Sequence, residues 1–341
     1  MKYTSEYWNS IEKNINVIKN VERLKNKSIL ITGSTGLICS CVIDLLIYLN
    51  SLGYDIKIYA ASRNDSTLKE RFGKLYSKIN YVKYDALKKI HLNFNVDYII
   101  HGASNANPKA YVEEPVETML ANIIGVKNLL DYAKKMKARL LYISSSEVYG
   151  NKSSSSSYKE SDYNYLDILN PRACYPSSKR AAETLCSSYR AEYEVDFVIV
   201  RPGHIYGPTM SKKDNRAYAQ FARNAISGKN IIMKSPGMQL RSYCYVVDCA
   251  SAIITVLLNG SVGEPYNISN HNSIITIREL AETMAKIGKV NVVFEIPSNL
   301  EKLGYNLMDN SSLCSDKLES LGWSGITSID EGCRHMLSEM E

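Results

Sequence analysis

Ser28-Ile-Leu-Ile-Thr-Gly33-Ser-Thr-Gly36-Leu-Ile-Cys39 joins a short apolar, β-branched run to a turn that contains two glycines. An apolar stretch from Cys41 to Leu49 follows at once and has the length of a buried helix. In the order strand, glycine turn, helix, the glycines let backbone N–H groups and the helix N-terminus approach a pyrophosphate. The stretch therefore predicts the first unit of a dinucleotide-binding domain, with Cys39 in place of the usual third glycine.

Further apolar runs continue this pattern along the chain. They predict strands at 56–61, around 81–85, and at 96–104, 139–147 and 197–202, with a long amphipathic helix from Thr118 to Lys135. Strands that alternate with helices indicate an open parallel sheet whose ligand site lies along the carboxyl edge of the strands. We therefore predict an α/β fold with a doubly wound Rossmann sheet and a smaller, mixed α/β C-terminal lobe that binds the substrate.

This interpretation divides the chain into three predicted parts. A polar, helix-compatible segment at 1–26 is predicted to be an N-terminal helical extension. Residues 27–204 form the predicted dinucleotide-binding Rossmann domain. Residues 205–341, where strands and helices become irregular, form the predicted substrate lobe, with chain crossings between these last two parts.

The end of the second predicted strand bears on the choice of dinucleotide. It carries Ser62-Arg63-Asn64, whereas an Asp or Glu there would accept hydrogen bonds from the ribose of NAD. An Arg can instead accommodate the 2′-phosphate of NADP. Arg63 therefore leaves both NAD and NADP open as the cofactor. Asp85, at the end of the third predicted strand, is expected to meet the adenine amino group.

Composition limits the kinds of partner. The net charge of +6 is dispersed over 41 basic and 35 acidic residues, with no dense basic tract, so no nucleic-acid partner is expected. The eight cysteines show no CxxC pair and no histidine at ligand spacing, which argues against a metal site and for free thiols in the cytoplasm. The start lacks a signal peptide, and the longest apolar stretch is interrupted, so no membrane association is expected.

Tyr175-Pro-Ser-Ser-Lys179 is the motif that points to chemistry. Four residues make about one helical turn, so the phenol and the ammonium group project from one helix face. An ammonium group beside a phenol favours the phenolate and is expected to lower the tyrosine pKa towards neutrality. Such a tyrosine can remove a proton from a sugar hydroxyl. The pair alone is weak evidence, because it also occurs on solvated helix faces.

The combination of motifs is far more specific than any one of them. In chain order they are Gly33-x-x-Gly36, Asn122, Ser144-Ser-Ser-Glu-Val-Tyr-Gly150, Tyr175-x-x-x-Lys179 and Arg201-Pro-Gly-His-Ile-Tyr-Gly-Pro208. Together they resemble the extended short-chain dehydrogenase/reductase family of nucleotide-sugar epimerases, dehydratases and decarboxylases, over roughly residues 28–338. The resemblance implies bound NAD or NADP, a nucleoside-diphosphate sugar as substrate and a homodimer that packs through helices near Asn122 and Tyr175.

The resemblance also implies a role for individual residues. Tyr175 would be the catalytic base, Lys179 would lower its pKa and hold the nicotinamide ribose, and Ser145 would bind the sugar 4-hydroxyl. Glu147 would be the further catalytic residue. The implied cofactor-binding residues are Gly33, Thr35, Gly36, Leu37, Ile38, Arg63, Asp85, Ala103, Asn122, Tyr175, Lys179 and Pro202. The implied substrate-binding residues are Ser104, Tyr111, Ser146, His204, Arg216 and Arg241, with His204 where the family usually has Asn.

The second half of the reaction depends on the residues around Glu147. Nucleotide-sugar 4,6-dehydratases of the family typically have Thr-Asp-Glu here, whereas Ser145-Ser146-Glu147 lacks the Asp. Mannose-type dehydratases and UDP-glucuronate decarboxylases have Thr-Ser-Glu instead, which fits better. Four further stretches resemble the decarboxylases, namely Ala103–Tyr111, Asn170–Tyr175, Gly207–Arg216 and Gln239–Asp248. A UDP-glucuronate decarboxylase is therefore the favoured hypothesis. A 4,6-dehydratase or 4-epimerase is the alternative, a one-way 4-keto reductase is another, and a non-catalytic NADP-binding regulator is a further one.

Overall fold

The computed structural model describes residues 1–90, 92–106, 108–152, 155–295 and 308–340. Within these ranges the strands are β1 Ser28–Thr32, β2 Lys57–Ser62, β3 Asn80–Lys83, β4 Tyr98–His101, β5 Arg139–Ile143, β6 Phe197–Pro202, β7 His204–Tyr206, β8 Ile231–Met233, β9 Leu240–Tyr245, β10 Pro265–Ile268, β11 Ile274–Thr276, β12 Val292–Phe294 and β13 Asn310–Ser311. The helices are α1 Ser5–Ile15, α2 Leu37–Ser51, α3 Asp65–Phe72, α4 Pro108–Glu113, α5 Pro115–Met136, α6 Cys174–Tyr193, α7 Ala217–Ile226, α8 Val246–Asn259, α9 Ile277–Gly288, α10 Asp316–Glu319 and α11 Ile329–Met340.

A seven-stranded sheet forms the centre of the fold. Its strand order is β10-β6-β5-β4-β1-β2-β3, and all neighbouring strands run parallel. The order reverses between β1 and β4, and this switch point is where ligands bind in doubly wound folds. The predicted Rossmann architecture is therefore confirmed. The predicted fifth strand is shorter than expected, because the chain leaves β5 after Ile143 and forms a 3₁₀ turn at Ser146–Tyr149.

The C-terminal part of the chain is mixed, and it returns to the main sheet. Strands β7, β9, β11 and β13 form a small sheet with both parallel and antiparallel pairs, and β8 pairs with β12. Strand β10 belongs to the C-terminal part of the chain, but it pairs with β6 and forms one edge of the seven-stranded sheet. The division at 204/205 stays a prediction, and residues 296–307 and 341 of the predicted lobe lie outside the described residues.

The N-terminal helix is fastened to the body by buried polar contacts. Asp44 of α2 is fully buried and forms an ion pair with Arg71 of α3, with 2.5 Å between Nη2 and Oδ2. The Tyr7 hydroxyl donates a hydrogen bond to the same carboxylate at 2.7 Å. Asn14 donates to Asp248 at the start of α8 at 3.0 Å. The predicted extension is thus a packed helix rather than a detached tail, since a buried carboxylate needs such partners.

The turn after β1 shows how Cys39 replaces a glycine. Gly33 has a φ of +72°, and a Cβ there would lie 2.7 Å from the Gly102 carbonyl group. A Cβ on Gly102 would lie only 2.4 Å from the Cys39 sulfur, which is too close for two unbonded atoms. The close approach that a third glycine normally permits is therefore provided by Gly102, at the end of β4, which leaves room for the thiol.

We expect Gly102→Ala to lower the free energy of unfolding by about 1–3 kcal/mol, because overpacking a closed core forces neighbouring atoms apart. The double variant C39A/G102A should regain most of this loss, since it removes the sulfur atom that the new methyl group meets. Urea unfolding of the two variants, with Cys39→Ala as the matched control, measures both effects. Equal losses in G102A and in the double variant would show that the sulfur contact is not the cause.

Three further findings concern the thiols, the helices and possible metal ligands. All eight cysteines are free, and all except Cys314 are buried. Within the residues that the structure describes, no helix is both long and apolar enough to cross a membrane. The same residues bring no three His, Cys, Asp or Glu side chains together as a metal-binding group.

Candidate active site

Tyr175 and Lys179 lie in the first turns of α6, which follows a 3₁₀ turn at Pro171–Ala173. Both side chains are buried, at the carboxyl edge of the parallel sheet. The Lys179 ammonium group donates a hydrogen bond to the Ile143 carbonyl oxygen, the last residue of β5, at 2.8 Å. It lies 5.7 Å from the centre of the Tyr175 ring. Strand β5 thus anchors the lysine close to the tyrosine, as the one-turn spacing predicts.

The electrostatics of this pair differ from the sequence-based prediction. The pKa of Tyr175 is raised to about 12, first by burial and then by the charge of Glu147, and contacts with Ser145, Arg216 and Tyr111 offset only part of this. Burial also lowers the pKa of Lys179, to about 7, so the lysine carries less charge than a solvated one. The predicted lowering of the Tyr175 pKa towards neutrality is therefore wrong in this structure.

Tyr111 and Ser145 lie beside Tyr175. The Tyr111 ring, from α4, stacks on the Tyr175 ring with 4.6 Å between centroids and 18° between planes. Ser145 precedes the 3₁₀ turn at Ser146–Tyr149, and its hydroxyl accepts a hydrogen bond from the Glu147 N–H at 3.2 Å. The serine hydroxyl thereby fixes the start of the turn that carries Glu147, while it also contacts the tyrosine.

Glu147 forms a two-pronged ion pair with Arg172. The Arg172 Nη1 and Nη2 atoms donate to the two carboxylate oxygens at 2.7 and 3.1 Å. Burial alone would lower the pKa of Arg172, but hydrogen bonding and charge from Glu147 offset this and raise it. A fork of two parallel hydrogen bonds fixes the orientation of a carboxylate as well as its charge. Glu147 is therefore held rigidly near Tyr175.

Two arginines and a histidine lie on the other side of the site. Arg216 forms an ion pair with Asp214, with 2.5 Å between Nη2 and Oδ2, and Tyr218 joins this cluster. Arg241 is only 3% exposed, and the hydrogen bond found for it goes to the carbonyl oxygen of its own neighbour, Leu240. Burial and the charges of both arginines lower the pKa of His204 to about 3. Arg216 is thus paired with a carboxylate, whereas no ion pair is found for Arg241 among the described residues.

Several buried polar atoms around the site have no partner among the described residues. They are the hydroxyl oxygens of Ser104, Thr118 and Ser144, Oδ1 of Asn122 and Nδ1 of His204. The other end of the Asn122 amide donates to the Ser178 hydroxyl at 2.9 Å, which ties α5 to α6. Buried polar groups are normally paired, so a cluster without partners indicates a site that a polar ligand completes.

Comparison with known proteins assigns this arrangement to a family. A model of the NAD dependent epimerase/dehydratase family matches residues 29–269. The chain belongs to this family. UDP-glucuronic acid decarboxylase 6 of Arabidopsis thaliana is 31% identical over 307 residues, which cover 90% of this chain and 87% of the relative.

Solved structures show the same fold. UDP-glucose 4-epimerase from Thermotoga maritima superposes with a TM-score of 0.79 at 22% identity, covering 92% of this chain and 98% of the epimerase. UDP-glucuronic acid 4-epimerase from Bacillus cereus, solved in complex with UDP-glucuronic acid and NAD, has a TM-score of 0.75 at 21% identity. It covers 92% of this chain and 98% of that chain. The matched family and the curated relative, rather than these structures, show that the protein is an enzyme of an NAD-dependent family.

The residues present fit the dinucleotide of the family. A Cβ on Gly33 would lie 2.7 Å from the backbone of Gly102, so the turn after β1 requires a glycine here. Glycines in such a turn let backbone N–H groups approach a pyrophosphate. Helix α2 begins at Leu37 directly after this turn and directs its free N–H groups to the same place. The unpartnered groups of Asn122 and Ser144 lie further along the carboxyl edge. These residues would hold NAD along the switch point of the sheet.

The remaining sequence-predicted residues fall into two groups. Ser146 and Pro202 are buried beside the site, at the 3₁₀ turn and at the end of β6, and Thr35, Ile38 and Ala103 are half-buried around the glycine turn and the end of β4. Arg63 is exposed at the end of β2, and Asp85 lies just after β3, where it accepts a hydrogen bond from the Leu87 N–H at 3.1 Å. Asn107, in the loop between Ala103 and Tyr111, lies outside the described residues. The individual binding roles stay predictions.

Sequence reasoning missed Arg172. The residue lies in the stretch Asn170–Tyr175, which carried the family resemblance, but its partner Glu147 is 25 residues earlier in the chain. Neither periodicity nor local spacing connects the two residues. The sequence offered one signal, the pair Asn170-Pro171, which is typical of a turn. In the structure the Asn170 side chain fixes this turn by accepting a hydrogen bond from the Arg172 N–H at 3.0 Å.

Proposed function

We propose that the enzyme is a UDP-glucuronate decarboxylase that works through a 4-keto intermediate. The carrying observation is the arrangement of Tyr175 beside a glutamate that Arg172 holds in a two-pronged ion pair. A plant UDP-glucuronic acid decarboxylase is 31% identical to this chain over 90% of its length, and this similarity supports the same assignment. The substrate and the reaction both follow from the chemistry that these side chains can perform.

The first half of the reaction is oxidation at C4 of the sugar. Tyr175 removes the proton of the 4-hydroxyl group, and Ser145 donates a hydrogen bond to the same oxygen. NAD, when bound, supplies the acceptor for the hydride from C4 and later returns it. Lys179, anchored on the Ile143 carbonyl oxygen, positions the tyrosine and the neighbouring ribose hydroxyl groups.

The second half follows from the position of the carboxyl group. With a ketone at C4, the C5 carboxylate belongs to a β-keto acid, so the bond between C5 and C6 breaks and its electron pair moves into the ketone. Carbon dioxide leaves, and C5 then gains a proton. The loss of carbon dioxide requires no acid, and Glu147 orients the ring for the step or assists protonation at C5.

The same geometry disfavours a 4,6-dehydratase. Elimination of water needs a general acid to protonate the departing 6-hydroxyl group. Position 146, which carries the expected acid in the Thr-Asp-Glu dehydratases, is a serine in this chain. The site therefore suits a reaction in which the leaving group departs without a proton.

The positive side of the site accounts for the rest of the substrate. Arg241 is buried with few partners, and Arg216 lies near it beside His204. A diphosphate brings the negative charge that such guanidinium groups bind in a fork. We propose that Arg241 and Arg216 contact the nucleoside diphosphate, with Tyr111 and Ser104 closer to the sugar.

The test is the release of carbon dioxide from UDP-glucuronate that carries ¹³C at C6. We expect one equivalent of labelled carbon dioxide for each sugar consumed and no net accumulation of NADH, because the reaction returns the hydride. Retention of the label in an unchanged uronate, with NAD or with NADP present, would rule out this substrate.

Arg63 leads to a prediction about the dinucleotide. The side chain is exposed at the end of β2, and the nearby Asp65 is already bound to Lys69 at 2.6 Å, so no free carboxylate replaces the missing acid. We propose that the site accepts NADP as well as NAD. Arg63→Ala should weaken NADP binding about tenfold, which corresponds to one charged hydrogen bond, and leave NAD binding unchanged. Titration calorimetry with both dinucleotides measures this, and equal effects on both would contradict it.

We further propose that the enzyme is a cytoplasmic homodimer. Large apolar side chains are exposed on α4, on the start of α5 and in the segment before α6, namely Val112, Val116, Leu120, Tyr163, Tyr165, Ile168 and Leu169. Exposed apolar side chains such as these are suited to contact with a second copy of the chain. Sedimentation equilibrium should give twice the chain mass of 38.3 kDa, whereas a single chain mass at micromolar concentration would contradict the dimer. The free cysteines fit a reducing compartment.

A further inference from the structure

Arg172 contacts more of the site than its partner Glu147 alone. The guanidinium group also lies 5.5 Å from the centre of the Tyr111 ring, and Tyr111 stacks on Tyr175. The side chains of Arg172 and Glu147 are only 19% and 20% exposed, so solvent screens their pairing weakly. Arg172 thus lies between the tyrosine stack and the acid, three residues before Tyr175 in the chain.

We propose that Arg172 is a positioning residue that fixes Glu147 beside the reacting carbon and neutralises its negative charge next to Tyr175. The inference rests on the proposed function, because the pH dependence of turnover is one of its consequences. It goes beyond that function in assigning two roles to an arginine that the proposed mechanism leaves without one.

The first role follows from geometry. Glu147 lies at the second position of a 3₁₀ turn, and Ser145 fixes the turn backbone but not the carboxylate. Arg172 holds both carboxylate oxygens, and its own backbone is fixed by the Asn170 side chain. A planar fork defines the plane of the carboxylate, which a lysine ammonium group cannot do.

The second role follows from electrostatics. The groups that face Tyr175 are Glu147 and Ser145 from the turn after β5, Tyr142 from β5, Tyr111 from α4, Arg216 from the segment before α7, and Cys174 and Lys179 from α6 itself. Of these, Glu147 carries the negative charge, and its effect is to raise the pKa of Tyr175. Without the Arg172 guanidinium group, Glu147 would lose its own counter-charge, and Arg216 would be the remaining positive charge that opposes its effect on the phenol. The phenolate that removes the 4-hydroxyl proton would then form at higher pH.

The experiment compares wild type, R172Q, R172K, E147Q and E147Q/R172Q by the pH dependence of kcat. The acid limb of the profile reports the deprotonation of Tyr175. Its apparent pKa should rise by about one unit in R172Q, because the charge of Glu147 near the phenol is then no longer neutralised. It should move downward in E147Q, and the double variant should match E147Q. R172K keeps the charge, so its acid limb should stay near that of wild type while kcat falls.

A purely structural role for Arg172 predicts something else. It would lower kcat in R172Q with no movement of the acid limb, and the double variant would retain the R172Q defect. Either of these results would overturn the proposal. Crystal structures of wild type and R172Q supply a measurement that needs no turnover. We expect the Glu147 carboxylate to leave its position in R172Q, and an unmoved carboxylate would overturn the positioning role even if UDP-glucuronate proves not to be the substrate.

Discussion

Tyr175→Phe is expected to lower kcat about a thousandfold, because the variant lacks the group that removes the 4-hydroxyl proton, and general-base catalysis contributes on the order of 10²- to 10⁴-fold. The ring itself should keep its place, since Tyr111 stacks on it and the phenylalanine ring can do the same. The free energy of unfolding and the dissociation constant for NAD should therefore stay close to those of wild type. Product formation from UDP-glucuronate at saturating substrate measures the effect.

Tyr245→Phe is the matched control for this variant. The Tyr245 hydroxyl is also buried and has no hydrogen-bond partner among the described residues, but the side chain packs in the core formed by β9, α2 and α8, away from the site. This variant should retain wild-type kcat. If Y175F kept more than a tenth of the wild-type activity while Y245F behaved normally, Tyr175 would not be the base.

Arg201→Met is expected to give the largest loss of stability, about 3–5 kcal/mol. Arg201 lies at the end of β6, and its guanidinium group donates to both carboxylate oxygens of Glu183, at 3.0 and 2.6 Å. It also donates to the Glu160 carbonyl oxygen at 2.8 Å. Methionine fills much of the space but leaves the Glu183 carboxylate, whose side chain is only 12% exposed, without its counter-charge. Urea unfolding followed by circular dichroism measures the change.

The double variant E183L/R201M separates the ion pair from the packing. Removing both charges eliminates the unpaired carboxylate, and well-packed apolar replacements of buried ion pairs are often neutral. Most of the stability lost in R201M should therefore return in the double variant. If R201M alone cost less than about 1 kcal/mol, Arg201 would not be holding a buried charge.

The glycine turn and the Tyr175–Lys179 pair could be predicted because their physical signals are local. A β-branched run, two glycines and an apolar helix lie within about twenty residues, and the positive φ of Gly33 is a conformation that glycine adopts without strain. The spacing of four residues places Tyr175 and Lys179 on one face of a helix, and the structure keeps both at the carboxyl edge of the sheet.

Contacts between distant segments could not be predicted in the same way. Gly102 makes room for the Cys39 sulfur, and Arg172 holds Glu147, but each pair joins parts of the chain that only the folded sheet brings together. The pKa of Tyr175 failed as a prediction for a related reason. Burial acts on Tyr175 and Lys179 together, and it weakens the charge on the lysine that was expected to lower the tyrosine pKa.

The proposed function depends most directly on the identity of the product formed from UDP-glucuronate. Proton NMR of the enzyme with UDP-glucuronate and NAD should show the C5 proton signal of the uronate replaced by the two C5 protons of a UDP-pentose. No 4-keto sugar should accumulate, because the hydride returns to C4. An unchanged spectrum with NAD and with NADP, together with conversion of a UDP- or dTDP-hexose to a 6-deoxy-4-keto product, would contradict the decarboxylase assignment.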